Sequence, residues 1–179
     1  MLAEEADIAP QWFAVRTPRT VALEAALADM GVETFCPRER IRLADGRWSE
    51  PRPIVAHLLF IRTLASQALD IERDAREGRL PALWVYRYAD SRRLHPISQR
   101  EMRLFMLLTA GDNDRCEVYH RDDFAKGERV RVMGGGFEGY EGYVRKIRND
   151  RRIVVEIKGV CALALPFIPL GLLSKVPQS

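Results

Sequence analysis

Cysteine and histidine are scarce in this chain. Only Cys36, Cys116 and Cys161 occur, far apart and with no C-x-x-C spacing, which leaves no basis for a zinc knuckle or a disulfide framework. Reduced thiols of a cytoplasmic protein fit that pattern. His57, His95 and His120 lack the neighbouring Cys or carboxylate pattern of a metal or catalytic constellation, and no nucleophile-base pair stands out. The expectation is therefore a protein that is not an enzyme, with no metal and no cofactor. Excess charge is also in short supply. Set against 25 acidic residues are 28 Lys and Arg, a net charge of +3, divided almost evenly between the first 110 residues and the rest. An autonomous nucleic-acid binder carries a stronger basic field, so contact with DNA or RNA needs a protein partner to hold it in place. Long hydrophobic runs are absent too. The most apolar stretch, CALALPFIPLGLL at 161–173, is too short to cross a bilayer and holds Pro166 and Pro169, so it reads as buried strands. MLAEEADIAPQWF at the N-terminus is acidic and lacks an export leader's basic flank and apolar core. A cytoplasmic monomer without membrane contact is expected.

What is present is enough hydrophobic material, 47% of 179 residues, for one ordinary core, or for one core and a small satellite domain. WFAVR (12–16) reads as a strand. Thr17-Pro18 resembles an N-cap with proline in the first turn, and Leu23, Ala26, Leu27 and Met30 follow at helical spacing up to Gly31. Glu33 to Thr63 reads as two long strands around an Asp-Gly turn, because Asp-Gly supplies the positive φ that a tight hairpin needs. A helix over 66–77 stopping at Gly78, a strand over 83–88 and a helix opened by a Ser98/Glu101 capping box complete a β-α-β-β-α-β-α order. This predicts an α+β domain over 1–110, an antiparallel sheet covered by helices. The polar stretch 111–123 reads as a linker. Short alternating strands over 124–179 predict a small β-barrel.

RVRVMGGGFEGYEGYVRKI (129–147) sets Gly134, Gly136 and Gly139 at the spacing G-x-G-x-x-G. A dinucleotide cradle must open a helix, whose N-terminus holds the pyrophosphate. Here about thirteen residues, Gly142 among them, separate Gly139 from the next strand, and an interior glycine costs a helix roughly 0.5–1 kcal/mol. Glycines that bend a small sheet are the simpler reading.

Gly135, Phe137, Gly139, Gly142 and Val144, behind KGERVRV, resemble a KOW motif, the signature of SH3-like barrels in ribosomal proteins and transcription elongation factors. WFAVRT, ETFCPRERI, RPIVAHLLFIRT and HPISQREM, in that order ahead of the KOW segment, resemble a NusG-type transcription factor with an N-terminal NGN domain and a C-terminal KOW domain. Among these, the resemblance leans toward RfaH and the polysaccharide-operon antiterminators.

That resemblance implies an NGN domain that docks an apolar depression on the clamp helices of RNA polymerase, through Val55, Leu58, Phe60, Tyr86 and Tyr88. Where the family's segment has proline-glycine-aromatic, this chain has Ala56-His57-Leu58. It also implies contact with DNA of the elongation complex, for which Arg16 and Arg19 are placed by the resemblance. Arg40 and Arg42, set with Arg38 at alternating positions of a predicted strand, are further candidates. In the KOW barrel, Phe137 and Tyr140 would meet a second partner, NusE or Rho, with Gly135, Gly139 and Gly142 serving structure, and Gly136 would loosen the loop. Pro166, Pro169 and the β-branched run at 153–157 argue against a helical form of this domain. The alternative is a KOW-type RNA- or ribosome-binding protein without polymerase contact.

Overall fold

The computed structural model describes residues 9–109, 117–120, 127–135, 137–147, 150–157, 160–165 and 172–177. Two compact units divide the chain, residues 1–103 and 104–179. Among the described residues no helix is long and apolar enough to cross a membrane.

The first unit is α+β. Its elements run β1 (Gln11–Arg16), α1 (Thr20–Asp29), β2 (Glu33–Phe35), β3 (Arg38–Glu39), β4 (Arg52–Pro53), β5 (Leu58–Thr63), α2 (Ala65–Arg76), β6 (Trp84–Val85) and β7 (Pro96–Ile97), then into α3 (Gln99–Thr109). The sheet order is β2-β5-β1-β6, with β7 following β6 along the same edge of β1, and every pairing is antiparallel. Along β1 and β5 the two-residue period divides the side chains between two faces. Phe13, Val15, Leu59 and Ile61 meet Leu23 and Leu27 of α1 and Ala68, Ile71 and Ala75 of α2 in one core cluster. The opposite face carries Trp12, Ala14, Leu58 and Phe60, which are buried as well. The Trp12 indole donates to the Gln99 side chain at 3.2 Å, tying the start of α3 to that face. Cys36 is buried in the core cluster.

Helix boundaries follow the sequence signals closely. α1 and α2 give way to Gly31 and Gly78 at φ +72° and +80°, the left-handed conformation that glycine adopts without a Cβ penalty. The Ser98/Glu101 box is formed reciprocally, the Ser98 amide donating to the Glu101 carboxylate at 2.9 Å and the Glu101 amide to Ser98 Oγ at 3.2 Å. Thr17 is not the cap itself. Arg19 holds that position, and its amide donates to Thr17 Oγ1 at 3.1 Å.

Three expectations are corrected. The two long strands over 33–63 are broken into β2, β3, β4 and β5, because Cys36-Pro37 interrupts one arm and the turn before Leu58 the other. β3 and β4 pair only with each other, as a separate two-stranded ribbon. The strand over 83–88 shrinks to Trp84–Val85, after which Arg87 bridges Leu94 across a turn.

The second unit is an antiparallel sheet in the order β13-β9-β10-β11-β12-β8, from β8 (Glu117–His120), β9 (Arg129–Val132), β10 (Glu141–Ile147), β11 (Asp150–Ile157), β12 (Cys161–Ala164) and β13 (Leu173–Lys175). Val130 and Val132 point inward, and Val154 packs with Ala162 and Ala164. Cys161 is buried. β8 lies inside the stretch read as a linker, pairing Val118 with Leu163 and His120 with Cys161. Pro166, Pro169 and Gly136 lie outside the described residues.

Candidate docking face and nucleic-acid interface

On the sheet face away from α1 and α2, Arg16 is the centre of a cross-strand row, opposite Leu58 on β5 and Trp84 on β6. Directly opposed antiparallel residues share a face, with Cβ atoms about 5 Å apart. Leu58 is closed to solvent at 3% exposure, whereas Trp84 is 56% exposed. Val55 and Phe60 are closed too, at 6% and 0%. The apolar depression read through Val55, Leu58 and Phe60 is therefore filled. β5 is covered on both faces, so alternation along it marks no free side. The exposed apolar group of this row is Trp84, which the sequence reading passed over. Its signal was present in LWVYRY: Leu83 and Val85 are buried, so the residue between them projects the other way.

Tyr86 is half-buried and Tyr88 exposed. Both belong to a turn held by backbone bonds from Tyr86 to Ala14 (2.9 Å), His95 to Tyr86 (3.1 Å) and Tyr88 to Arg93 (3.1 Å). The Tyr88 ring stacks on His95 at 4.3 Å between centroids, and the Arg93 guanidinium lies 5.7 Å from its centre. Beneath the turn, the Arg87 guanidinium makes a bidentate pair with buried Glu72, which also accepts from the Val85 amide at 2.9 Å. Burial pushes the Glu72 carboxyl up, but Arg87, the Val85 amide and Arg76 outweigh it and hold the group below the usual carboxylate value. The edge carrying Trp84 and Tyr88 is thus pinned to α2 by a charge-assisted bond set.

His57 precedes Leu58 at φ +64°, the sole positive-φ residue other than glycine among the described residues. It stands where the family resemblance places a glycine, and the left-handed backbone accounts for that preference. Cys36 Sγ lies nearby, 4.0 Å from the Leu58 carbonyl. Burial pushes this thiol up to about 11, despite the opposing pull of Arg38, which makes it a poor nucleophile at neutral pH.

Arg16 and Arg19 are exposed and engaged in no ion pair among the described residues. The expected row along one strand is not formed. The strand ends at Glu39, and Arg38 pairs instead with Glu24 on α1. Arg40 and Arg42 are exposed beyond it, Arg42 bridging Trp48.

In the second unit Gly135 and Gly139 lie at φ +81° and +80° in the turn between β9 and β10. The Gly139 amide donates to the Val132 carbonyl at 2.7 Å. Gly142 is packed so closely that an added Cβ would lie 2.5 Å from the Val154 carbonyl oxygen, and at Gly127 it would lie 2.1 Å from that of Val144. Phe137 and Tyr140 are half-buried on this turn. A strand, β10, begins at Glu141, so no helix N-terminus stands behind the glycines and the dinucleotide cradle is ruled out. Among the described residues no group of three His, Cys, Asp or Glu is arranged to hold a metal.

A helix-backed α+β unit is followed by an antiparallel β unit whose glycine spacing resembles that of a KOW motif. No family model matches the chain. Over 67 residues it is 33% identical to the transcription termination/antitermination protein NusG of Borreliella burgdorferi, a match that covers 36% of this chain and 36% of that protein. The matched region therefore spans about a third of the curated relative's length. Among solved structures, one of domain interaction in Thermotoga maritima NusG aligns at 20% identity over 96% of this chain and 99% of its own, with a TM-score of 0.49. The MjSpt4:Spt5 complex aligns at 13% identity over 93% and 97%, with a TM-score of 0.30. Over the matched residues the chain is similar to NusG, as the ordered motifs of the sequence also are.

Proposed function

We propose that the protein is a transcription elongation and antitermination factor that acts by binding. Its first unit, the NGN-type domain, docks on the clamp helices of RNA polymerase, and its KOW-type unit meets a second partner of the NusE or Rho kind through Phe137 and Tyr140. The supporting observation is the Trp84–Arg16 pair on the sheet face away from the helices, an exposed indole beside a cation, with Tyr88 on the same edge. Trp, Tyr and Arg are the side chains that dominate protein interfaces, each costing about 2 kcal/mol or more when truncated at a hot spot. Val55, Leu58 and Phe60 support that surface from within. Arg16 and Arg19 contact DNA of the elongation complex. Two linked modules raise the effective concentration of the second partner at the first site, so a modest net charge suffices.

A pull-down with the tagged full chain tests this. Polymerase subunits are expected in the eluate, and Trp84→Asp is expected to lose them while keeping the parent melting temperature. A chain that retains ribosomal RNA alone, or a Trp84→Asp variant that retains polymerase undiminished, overturns the docking assignment.

A further inference from the structure

Charge follows a rule across the strands of both units. Among the described residues, five register positions set one charged residue directly opposite another. Three of them join opposite signs, Glu33 with Arg62, Glu39 with Arg52 and Glu141 with Arg131. Each of these three is closed by an ion pair, and Glu141 reaches Arg129 as well, at 2.7 Å.

The remaining two positions break the rule, and they are consecutive. In the β10–β11 hairpin Arg145 stands opposite Arg152, and Lys146 opposite Arg151. Like charges at directly opposed positions, with Cβ atoms about 5 Å apart, destabilise a sheet. The stretch that closes this hairpin, RKIRNDRR (145–152), holds five basic residues and one acid, Asp150, which the register sets opposite uncharged Ile147. Elsewhere the fold opposes a charged strand residue of this kind with its counterion; here it sets cation against cation twice in succession. An anion from outside the chain offsets that cost when it lies against the rows.

The register also limits the form of that anion. Successive residues of a strand address opposite faces, so the Arg145/Arg152 row and the Lys146/Arg151 row belong to opposite faces of one two-stranded ribbon. A single nucleic-acid strand or an acidic peptide laid on the sheet meets one face. A groove walled by phosphates meets both. The major groove of B-form DNA is about 12 Å wide and admits a two-stranded ribbon, whereas that of an A-form RNA duplex is too deep and narrow for side chains to read. Three of the four residues are arginines, the cation whose planar fork suits phosphate oxygens. We propose that the β10–β11 hairpin is a duplex-DNA element of the second unit, its two like-charged rows taking phosphates on the two walls of a major groove. This goes beyond the function proposed above, which gives that unit a protein partner through Phe137 and Tyr140 on a different turn. Its test contains neither polymerase nor a second protein, so the two can fail separately.

The test is fluorescence anisotropy of the full chain with a labelled DNA duplex, across a salt series from about 50 to 200 mM. Arg151→Gln/Arg152→Gln removes one member of each row. It is expected to lower the slope of log affinity against log salt by about 1.8, two phosphate contacts at about 0.9 each. Its melting temperature should stay level or rise, since the opposed like charges are gone. Arg151→Glu/Arg152→Glu turns both positions into pairs of opposite sign, and is expected to weaken duplex binding about tenfold or more while melting no earlier than the parent. A lowered slope in a variant that melts no earlier upholds the hairpin as a DNA element, including where the polymerase pull-down is empty. Absence of duplex binding at low salt, an unaltered slope, or an earlier melt of either variant overturns it. So does binding of an RNA duplex, a single strand or poly-glutamate as tight as that of the DNA duplex.

Discussion

Thr17 and His57 clasp one another across the sheet end: the Thr17 amide donates to the His57 carbonyl at 2.9 Å, and His57 Nδ1 lies 3.3 Å from the Thr17 carbonyl. A carbonyl only accepts, so Nδ1 carries the proton in this bond. The clasp holds a side chain where the backbone favours none. His57→Gly should relieve the left-handed backbone while losing the ring's bond, leaving stability within about 1 kcal/mol of the parent. His57→Val should lose about 1–2 kcal/mol, the cost of a side chain in that conformation without compensation. Urea midpoints decide, and equal midpoints for the two variants would show that φ at this position carries no cost.

Glu72 gives the first unit an acid-sensitive bond. Its folded carboxyl titrates below the ordinary value of 4.5, so the pairing is fully present above that value and is lost as pH falls through the lower folded one. Glu72→Gln should cost about 2 kcal/mol at neutral pH. It should also flatten the fall in stability below about pH 4.5. Urea titrations along the acid limb measure both, and a profile parallel to that of the parent would mean the pair is not formed.

Leu58→Asp separates folding from docking. Leu58 is closed to solvent, and an unpaired carboxylate there costs several kcal/mol. Loss of the cooperative melt is expected, in contrast to Trp84→Asp. A folded Leu58→Asp variant would show that the depression around it opens readily.

Gly142 and Gly127 should tolerate no side chain. Ala at either position meets a carbonyl oxygen well inside contact distance, an overpacking cost of about 1–3 kcal/mol or more. Limited proteolysis should cut residues 127–177 of either variant sooner than those of the parent. Unchanged protection would mean that β10 can shift to make room.

Much of this architecture was legible because it rests on local rules. Gly31, Gly78, Gly135 and Gly139 mark positive φ, and Ser98 with Glu101 announces its own helix start. The breaks in the 33–63 hairpin were harder to see, since Cys36-Pro37 interrupts the pairing on one arm and the turn before Leu58 does so on the other. β8 was hidden for a different reason. EVYH is too short to show a period, and its pairing with β12 joins residues more than forty apart in sequence. The candidate site divides the same way. The surface arginines could be read from the sequence, but the closure of Leu58 and Phe60 depends on what covers the far face of the sheet. Glu72 and Arg87, on different elements, gave no sign of each other.

Among the described residues each unit keeps one thiol out of reach, Cys36 in the first and Cys161 in the second. An alkylating reagent can meet either sulfur only when the surrounding structure comes apart, so its rate of uptake under native conditions is a clock for that event. Mass spectrometry of the tagged peptides would time the two units of one molecule independently.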